Sequence, residues 1–532
     1  MKASWGNLFL EILISIIAAV ASGFLLSAGF PVKDYSLLPW IGLVPLLLLL
    51  CNKGPISGFL LAFIGGAVFF LNIFDWILEV PGYLYLHHGI LAVYFGSYFG
   101  LFGLAVSFIS RQRGKIMALL VAPCLWVCLE YIRSNLSFLA LPWGLLAHSQ
   151  YTHPIAIQIS AITGVYGVSF LIVMVNAAIT ALVLVFFRTT GITGTSLREG
   201  VPARQAYTLI AISGSVFAFS LVYGYATVGR GVAGGTITVA TIQPNIEQGK
   251  KWDPKYEKFI MQTLRDLTLE ASEQKPALIV WPETATPRSI TENYGLFLQV
   301  QETATKAGAP ILLGSSERRK YEKKSPHESK YLNSAFFIHP QGAKTKVQKY
   351  DKIYLMPFGE YLPNKETIPW ARLRVPNIGG YVPGEEFTTF ELGNLRFCTM
   401  ICWESIFPGL VRPFLQRGAD LIINITNEAW FGKSAASYQF LSMNVFRAVE
   451  HRVSMVRCAN TGISCFIDPY GKVTGRVQKD GEDLFVRGFL TREVPIFRER
   501  TIYTSLGDAI IYVSAVISFL MLASCFVKVK QQ

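Results

Sequence analysis

Hydrophobic residues along the 532-residue chain follow two patterns, and the change comes near residue 230. Before it, apolar blocks near 8–29, 37–51, 56–77, 88–109, 116–132, 163–187 and 207–227 alternate with short polar breaks, and an eighth block lies at 506–527. Each block is about the length needed to cross a hydrocarbon core of roughly 30 Å. The pattern therefore predicts seven membrane spans, a long polar segment and one last span. AVAS at 19–22 resembles a signal-peptidase site, but apolar sequence resumes directly after it, and an uncleaved first span is expected.

After residue 230 the hydrophobic runs shorten. TITVATI (236–242), ALIVW (277–281), PILLGSS (310–316), SAFFIH (334–339), LRFCTMI (395–401) and DLIINIT (420–426) read as strands. Stretches between them have helical periodicity: in 254–273, Tyr256, Phe259, Ile260, Leu264 and Leu267 are expected on one face. Strands alternating with helices predict a layered α/β domain large enough to bury its own core. The expected organisation is a membrane domain at 1–231 with seven transmembrane helices, an α/β domain at 232–504, and a final transmembrane helix with a short tail at 505–532. The linkers are the glycine-rich 228–235 and the stretch before the last span. No internal repeat or low-complexity tract is visible.

Composition agrees with the pattern, since 52% hydrophobic and only 16% charged residues exceed what an ordinary soluble domain carries. The net charge of +13 divides almost evenly between the membrane part and the polar segment. Neither part has a basic motif with interleaved aromatics, so a nucleic-acid partner is not expected, and RRKYEKK at 318–324 reads as a solvated loop. Loops on one side hold Lys2, Lys53, Arg111, Arg113, Lys115, Arg188, Arg198, Arg204, Lys528 and Lys530. Apart from juxtamembrane Arg230, those on the other side hold only Lys33 and Arg133. Because cytoplasmic loops collect Lys and Arg, both termini are expected in the cytoplasm and residues 232–504 on the outer face. Glu130 and Arg133, at the outer end of the fifth span, are expected to pair and help shape a lateral entry, or to anchor the helix end. A transporter fits poorly, with few intramembrane charges and no obvious pair of broken helices.

The eight cysteines do not form a disulfide framework. Cys51, Cys124, Cys128 and Cys525 lie in or beside spans, and Cys398 and Cys402 on one strand are separated by roughly 13 Å at about 3.3 Å per residue. Cys458 and Cys465 flank a turn at Asn460–Gly462 and could pair. The seven histidines include no HExxH and no closely spaced Cys/His set, so no metal is expected. Cys402 is left as a packing residue or a nucleophile. A nucleophilic thiol needs a base to take its proton and donors for the oxyanion formed on attack. Glu283 in VWPETATP follows an apolar strand, and Lys352 and Glu360 stand in the Pro/Gly-punctuated YDKIYLMPFGEYLP. Singly, these also read as a helix-start carboxylate, a surface charge and a turn residue.

Together, a carboxylate, a lysine and a cysteine in that order resemble the Glu-Lys-Cys triad of the nitrilase superfamily. WPETATP at 281–287, the K-x-x-L-x-P-F-G-E run at 352–360, ICWE at 401–404 and NEAWFG at 427–432 resemble the apolipoprotein N-acyltransferase family, along the whole chain. Trp403 stands where that family often has Tyr, and Met356 where it commonly has Val. The resemblance implies an αββα sandwich carried by a polytopic α-helical membrane protein of about eight spans. It implies Glu283 as general base, Lys352 as oxyanion stabiliser and Cys402 as nucleophile. Glu360 and Glu404 would orient them, with Trp252, Asn333, Trp403 and Trp430 around the site. The implied reaction moves an acyl chain from a membrane phospholipid, through a cysteine thioester, to the N-terminal α-amine of a diacylated apolipoprotein. It requires no cofactor, and a monomer in the bacterial inner membrane with its catalytic domain facing the periplasm is expected. Loops at 368–384 and 429–435 could cover the site. The alternative is a membrane-tethered amidase of the same fold that hydrolyses a small amide.

The Lys/Arg asymmetry generates a topology test. A reporter active only in the periplasm is expected to be on when fused near residue 240 and off near residue 195. The opposite pattern would move the α/β domain to the cytoplasmic side.

Overall fold

The computed structural model describes residues 5–190, 201–231, 234–319, 330–342, 347–364, 367 and 380–527, and the chain divides into two units. One comprises Met1–Leu78, Leu84–Gly229 and Leu506–Gln532, and the other Glu79–Tyr83 and Arg230–Ser505.

In the first unit, six helices among the described residues are long and apolar enough to cross a membrane: Leu8–Ser27, Pro55–Ile73, Tyr85–Arg113, Lys115–Asn135, Val165–Phe186 and Ala203–Val228. Small residues bring them together, since lipid offers no hydrophobic drive for helix association. A Cβ on Gly103 would lie 2.3 Å from the Gly58 carbonyl oxygen, and one on Gly23 would lie 2.4 Å from that of Gly65. The helix Pro55–Ile73 thus contacts two neighbours backbone to backbone. The expected second and eighth spans differ from the reading of eight. Residues 39–50 form two short helices, Pro39–Gly42 and Val44–Leu50, and the last helix, Ala509–Ser524, has 16 residues. At 1.5 Å per residue these reach roughly 18 and 24 Å. Pro45 supplies no N–H to the first of them, and at the break Asn176 takes over the freed backbone groups. Its Oδ1 accepts from Leu43 N at 2.8 Å, and its Nδ2 donates to Pro39 O at 2.9 Å.

Glu130 and Arg133 are both buried, and each has its own backbone partners. Arg133 donates to the carbonyls of Leu141, Trp143 and Gly144, and Glu130 accepts from Trp126 Nε1 and Leu146 N, both at 3.0 Å. Together they fasten the 141–146 turn to the helix Lys115–Asn135.

The second unit contains two six-stranded sheets. In order across the first lie β12 (Gly488–Pro495), β1 (Thr236–Gln243), β2 (Leu278–Val280), β3 (Ile311–Arg319), β4 (Lys330–Ile338) and β5 (Gln348–Asp351). The second runs β11 (Val473–Arg476), β10 (Cys465–Ile467), β9 (Ser454–Ala459), β8 (Leu421–Thr426), β7 (Leu395–Ile401) and β6 (Thr389–Leu392). β1–β2–β3 and β7–β8–β9 are parallel, and the outer strands are antiparallel. The sheets meet face to face through β1 with β9 and β4 with β7. The helices Glu257–Ser272 and Tyr294–Ala307 cover the first sheet, and Pro408–Gln416 and Ala436–His451 cover the second. This is the expected αββα sandwich.

Parallel strands buried on both faces carry continuous apolar sequence, and Leu278–Trp281 and Leu421–Ile425 are fully buried. The helix Glu257–Ser272 corrects one expected contact. Ile260, Leu264, Leu267 and Ala271 lie along its buried stripe, while Phe259 is turned outward and Met261 takes the flank. Cys458 and Cys465 remain free. The antiparallel register sets Cys465 opposite Arg457, so its sequence neighbour Cys458 points to the other face, toward the carbonyls of Ile242 and Val280.

Asn176→Ala would remove the side-chain acceptor of the Leu43 N–H and the side-chain donor to the Pro39 carbonyl among apolar helices. A loss of about 1–3 kcal/mol is expected, measured as a lower melting temperature of the detergent-solubilised protein. An unchanged melt would show that other groups satisfy the break.

Candidate active site

The groups that read as chemistry in the sequence stand just beyond strand ends, where parallel sheets release their chains into loops. Glu283 follows β2 by three residues. Its Oε1 accepts from Asn333 Nδ2 at 2.8 Å, and its Oε2 accepts from the Asn427 backbone N–H at 2.8 Å. Lys352 directly follows β5 and is 1% exposed in its side chain. Its Nζ lies 2.9 Å from Glu360 Oε1 and 3.7 Å from Glu283 Oε1. Asn333, on β4, donates from the same Nδ2 to Glu283 and, at 2.9 Å, to Glu360 Oε1. Its backbone carbonyl accepts from Lys352 N at 2.8 Å. Two carboxylates therefore share one amide and one ammonium, an arrangement that satisfies buried charge by direct pairing.

Cys402 stands one residue past β7, at the start of the 3₁₀ turn Cys402–Ile406, with φ of 57°. A non-glycine residue there is strained by roughly 1–2 kcal/mol, and its surroundings hold it. The Cys402 carbonyl accepts from Asn424 Nδ2 at 3.0 Å, Asn424 Oδ1 accepts from Arg457 Nε at 3.3 Å, and Arg457 pairs with buried Glu428. Glu404 clamps the same turn. Its Oε2 accepts from Ile401 N at 2.8 Å, and its Oε1 accepts from Tyr350 OH, Ile353 N and Tyr354 N. One carboxylate thus ties the cysteine turn to the strand and loop that carry Lys352.

Burial, reinforced by Glu283 and opposed by Lys352, pushes the Cys402 thiol up to about 12. Burial acts to depress Lys352, but Glu360, Cys402 and Glu283 hold it above the ordinary lysine range, so it stays an ammonium. Burial raises Glu404 to about 7, against Lys352 and its N–H donors. Cys402 at rest is a thiol among groups able to take its proton and to stabilise negative charge.

The remaining residues divide. Trp403 is buried, its indole N–H donating to Tyr354 O at 2.6 Å and its ring packed edge-on against Phe407. Trp252 is 47% exposed, and Trp430 is half-buried on the 3₁₀ turn Ala429–Phe431. Of the expected cover at 368–384, residues 368–379 lie outside the described residues. Gly380–Gly384 are fastened to Tyr331, Glu360 and Lys352 by backbone hydrogen bonds. Among the described residues no Cys/His/Asp/Glu group could hold a metal ion.

Several site residues escaped the sequence reading. Asn427 holds Glu283 through its backbone, Asn424 holds Cys402, and Lys251 donates from Nζ to the Glu283 carbonyl at 2.9 Å. Asn427 sits inside NEAWFG, but a backbone donor leaves no trace in residue type. Lys251 stands beside Trp252, which was the available signal.

A carboxylate, lysine and cysteine at strand ends of an αββα sandwich define a carbon–nitrogen hydrolase type of domain, and residues 238–490 match the Carbon-nitrogen hydrolase family. Residues 22–178 match the Apolipoprotein N-acyltransferase N-terminal domain. The chain is 36% identical over 499 residues to an apolipoprotein N-acyltransferase of Geobacter metallireducens, covering 92% of this chain and 91% of the relative. It is 30% identical over 519 residues to one from Chlorobaculum tepidum, covering 92% and 93%. The chain belongs to the apolipoprotein N-acyltransferase family. Among solved structures, an amidase from Nesterenkonia sp. is similar over 53% of this chain and 98% of its own, with 18% identity and a TM-score of 0.37.

Gly314 on β3 packs directly under the Glu283 backbone. A Cβ there would lie 2.5 Å from Thr284 N and 2.7 Å from Glu283 Cα. Gly314→Ala is expected to displace Glu283 and lower acyl transfer on the order of 10²-fold, the cost of a misplacement near 1 Å. Turnover of labelled substrate, with a melt to confirm folding, checks this. Wild-type turnover would show that the Glu283 loop yields freely.

Proposed function

We propose that this chain transfers an acyl chain from a membrane phospholipid, through a thioester on Cys402, to the N-terminal α-amine of a diacylglyceryl-cysteine apolipoprotein. The observation that carries the reading is the cluster of Glu283, Lys352, Glu360 and Asn333 around a buried thiol, in a family member that also has six membrane-length helices. A soluble amide substrate gives no reason for such helices. A phospholipid does, because each methylene withdrawn into water costs about 0.8 kcal/mol.

The chemistry follows from the protonation states. A thiol near 12 is ionised to roughly one part in 10⁵ at pH 7, so its proton must leave as the sulfur attacks. Glu283 is the base. The carbonyl oxygen of the donor ester becomes an oxyanion, which Lys352 stabilises together with a backbone N–H near Trp403. Glu283 returns the proton to the departing lysophospholipid oxygen, and the acyl chain stays on Cys402. The acceptor amine then attacks the thioester, which is reactive toward amines and persists when water is kept away. Glu360 and Glu404 position Lys352 and the cysteine turn, and Trp252 and Trp430 border the substrate. Residues 232–504 form the catalytic domain, facing the periplasm from the inner membrane as the Lys/Arg asymmetry supports.

In the test, enzyme and labelled phospholipid are mixed without acceptor, free lipid is removed, and the protein is treated with neutral hydroxylamine, which cleaves thioesters far faster than oxygen esters. Hydroxylamine-sensitive label on Cys402 that chases onto a diacylated lipopeptide is expected, with none in Cys402→Ala or Glu283→Ala. Rapid release of fatty acid without acceptor would favour hydrolysis, and absence of label while transfer proceeds would overturn the covalent route.

A further inference from the structure

The last residue of β8 stands between the two groups that the proposed reaction brings together. Thr426 is followed by Asn427, whose backbone N–H donates to Glu283 Oε2 at 2.8 Å, so the Thr426 Cα lies within roughly 5 Å of that carboxylate oxygen. Two residues before Thr426, Asn424 Nδ2 holds the Cys402 carbonyl at 3.0 Å. β7 and β8 run parallel with Ile401 opposite Ile425, and the next pair in that register is Cys402 and Thr426. On the other side the Thr426 carbonyl accepts from Asn460 N, just past β9, at 3.1 Å. Thr426 is therefore fixed beside the cysteine turn by backbone pairing.

Its side chain is a polar group without the usual compensation. Thr426 is fully buried, and among the described residues no oxygen or nitrogen forms a hydrogen bond with its Oγ1. A buried hydroxyl in that state costs stability and calls for an explanation. Valine has nearly the same shape and would carry no such cost. The Cys402 sulfur supplies the explanation. A neutral thiol is a weak acceptor, so the hydroxyl gains little from it at rest, whereas a thiolate is a charged acceptor toward which an O–H turns by rotation about one bond. Burial and the Glu283 and Glu360 charges keep the proton on this thiol, and the Lys352 ammonium and the Thr426 hydroxyl favour its loss.

We propose that Thr426 is a catalytic residue of this site: its hydroxyl donates a hydrogen bond to the Cys402 sulfur whenever that sulfur carries negative charge, as the attacking group in acylation and as the leaving group in aminolysis. The inference rests on the reading of Cys402 as nucleophile. Thr426 keeps its own proton throughout, since the thiol proton passes to Glu283 and from there to the departing lysophospholipid oxygen. In the thioester the sulfur is uncharged, and the hydroxyl is again idle. The two places where negative charge alternates during the reaction thus have separate donors. Lys352 and the backbone N–H near Trp403 serve the carbonyl oxygen, and Thr426 serves the sulfur.

The experiment uses full-length wild-type, Thr426→Val and Thr426→Ser enzymes in detergent micelles. Three quantities are followed: single-turnover thioester formation from labelled phospholipid, alkylation of Cys402 by iodoacetamide from pH 7 to 9 with the modified peptide mapped, and thermal unfolding. Thr426→Val is expected to slow both thioester formation and alkylation on the order of 10-fold, since a charge-assisted hydrogen bond is lost and the more basic thiolate recovers part of the rate through its nucleophilicity. The deficit should be the same across this pH range, which lies far below the ionisation of the thiol. The melting temperature of Thr426→Val should be unchanged or raised, because the hydroxyl it removes has no oxygen or nitrogen partner at rest. Thr426→Ser, which keeps the hydroxyl, should retain most of both rates. Wild-type rates in Thr426→Val, a lowered melt or failure to fold in Thr426→Val, or a Thr426→Ser as slow as Thr426→Val would overturn the proposal. Slow thioester formation with unaltered alkylation would also overturn it, by tracing the defect to contact with lipid. Absence of thioester on the wild-type enzyme would instead overturn the acyl-transfer reading, and the alkylation rates would then decide by themselves whether Thr426 acts on the sulfur.

Discussion

The two-sheet unit depends on keeping one ammonium charged where water does not reach. Lys352 lies between Glu283 and Glu360, and its charge survives burial because both carboxylates face it. The carboxylates in turn need the lysine and the shared amide of Asn333. Removing one partner of such a set leaves the others buried and unmatched, which typically costs 3–5 kcal/mol. The PFGE loop, the end of β2 and the middle of β4 are therefore fixed relative to one another by charge as much as by packing. A cluster that must be complete to be stable is also held in one geometry before any substrate arrives.

Cys402 is held by different means. Cys402 occupies a left-handed backbone position that directs its carbonyl into a buried chain of Asn424, Arg457 and Glu428. Arg457 is itself lowered to about 10 by burial, and it carries its charge inside the second sheet through Glu428 and the Ile463 carbonyl. Glu404 bridges this arrangement to the loop of Lys352.

Much of this was legible in the residues because two kinds of signal are strong in single sequences. Continuous apolar runs marked β1, β2, β3, β4, β7 and β8, the strands buried on both faces. β9 was hidden by Arg457, a charge that reads as surface until its partner is known, and β12 by the alternation of an edge strand, in TREV. Six spans were legible from length and apolarity. The break at Leu43 was not, because it depends on Asn176, more than a hundred residues away in the chain. In the site, residues recognisable by type and motif were legible, including Glu283, Lys352, Glu360 and Cys402. Asn427 was not, since its contribution is a backbone N–H, and neither was Lys251, which acts on the Glu283 backbone carbonyl.

The division of the site between two sheets has a consequence for biogenesis. Glu283, Asn333 and Lys352 leave the first sheet, while Cys402, Glu404 and Asn427 leave the second. The first sheet itself closes only when β12, the last strand in the chain, pairs with β1. A nascent chain that has made β1 to β5 holds Glu283 and Lys352 but not Cys402, and one that stops short of β12 lacks the edge that completes the first layer. On the proposed roles, reactivity toward lipid esters would therefore arise only after both sheets have formed.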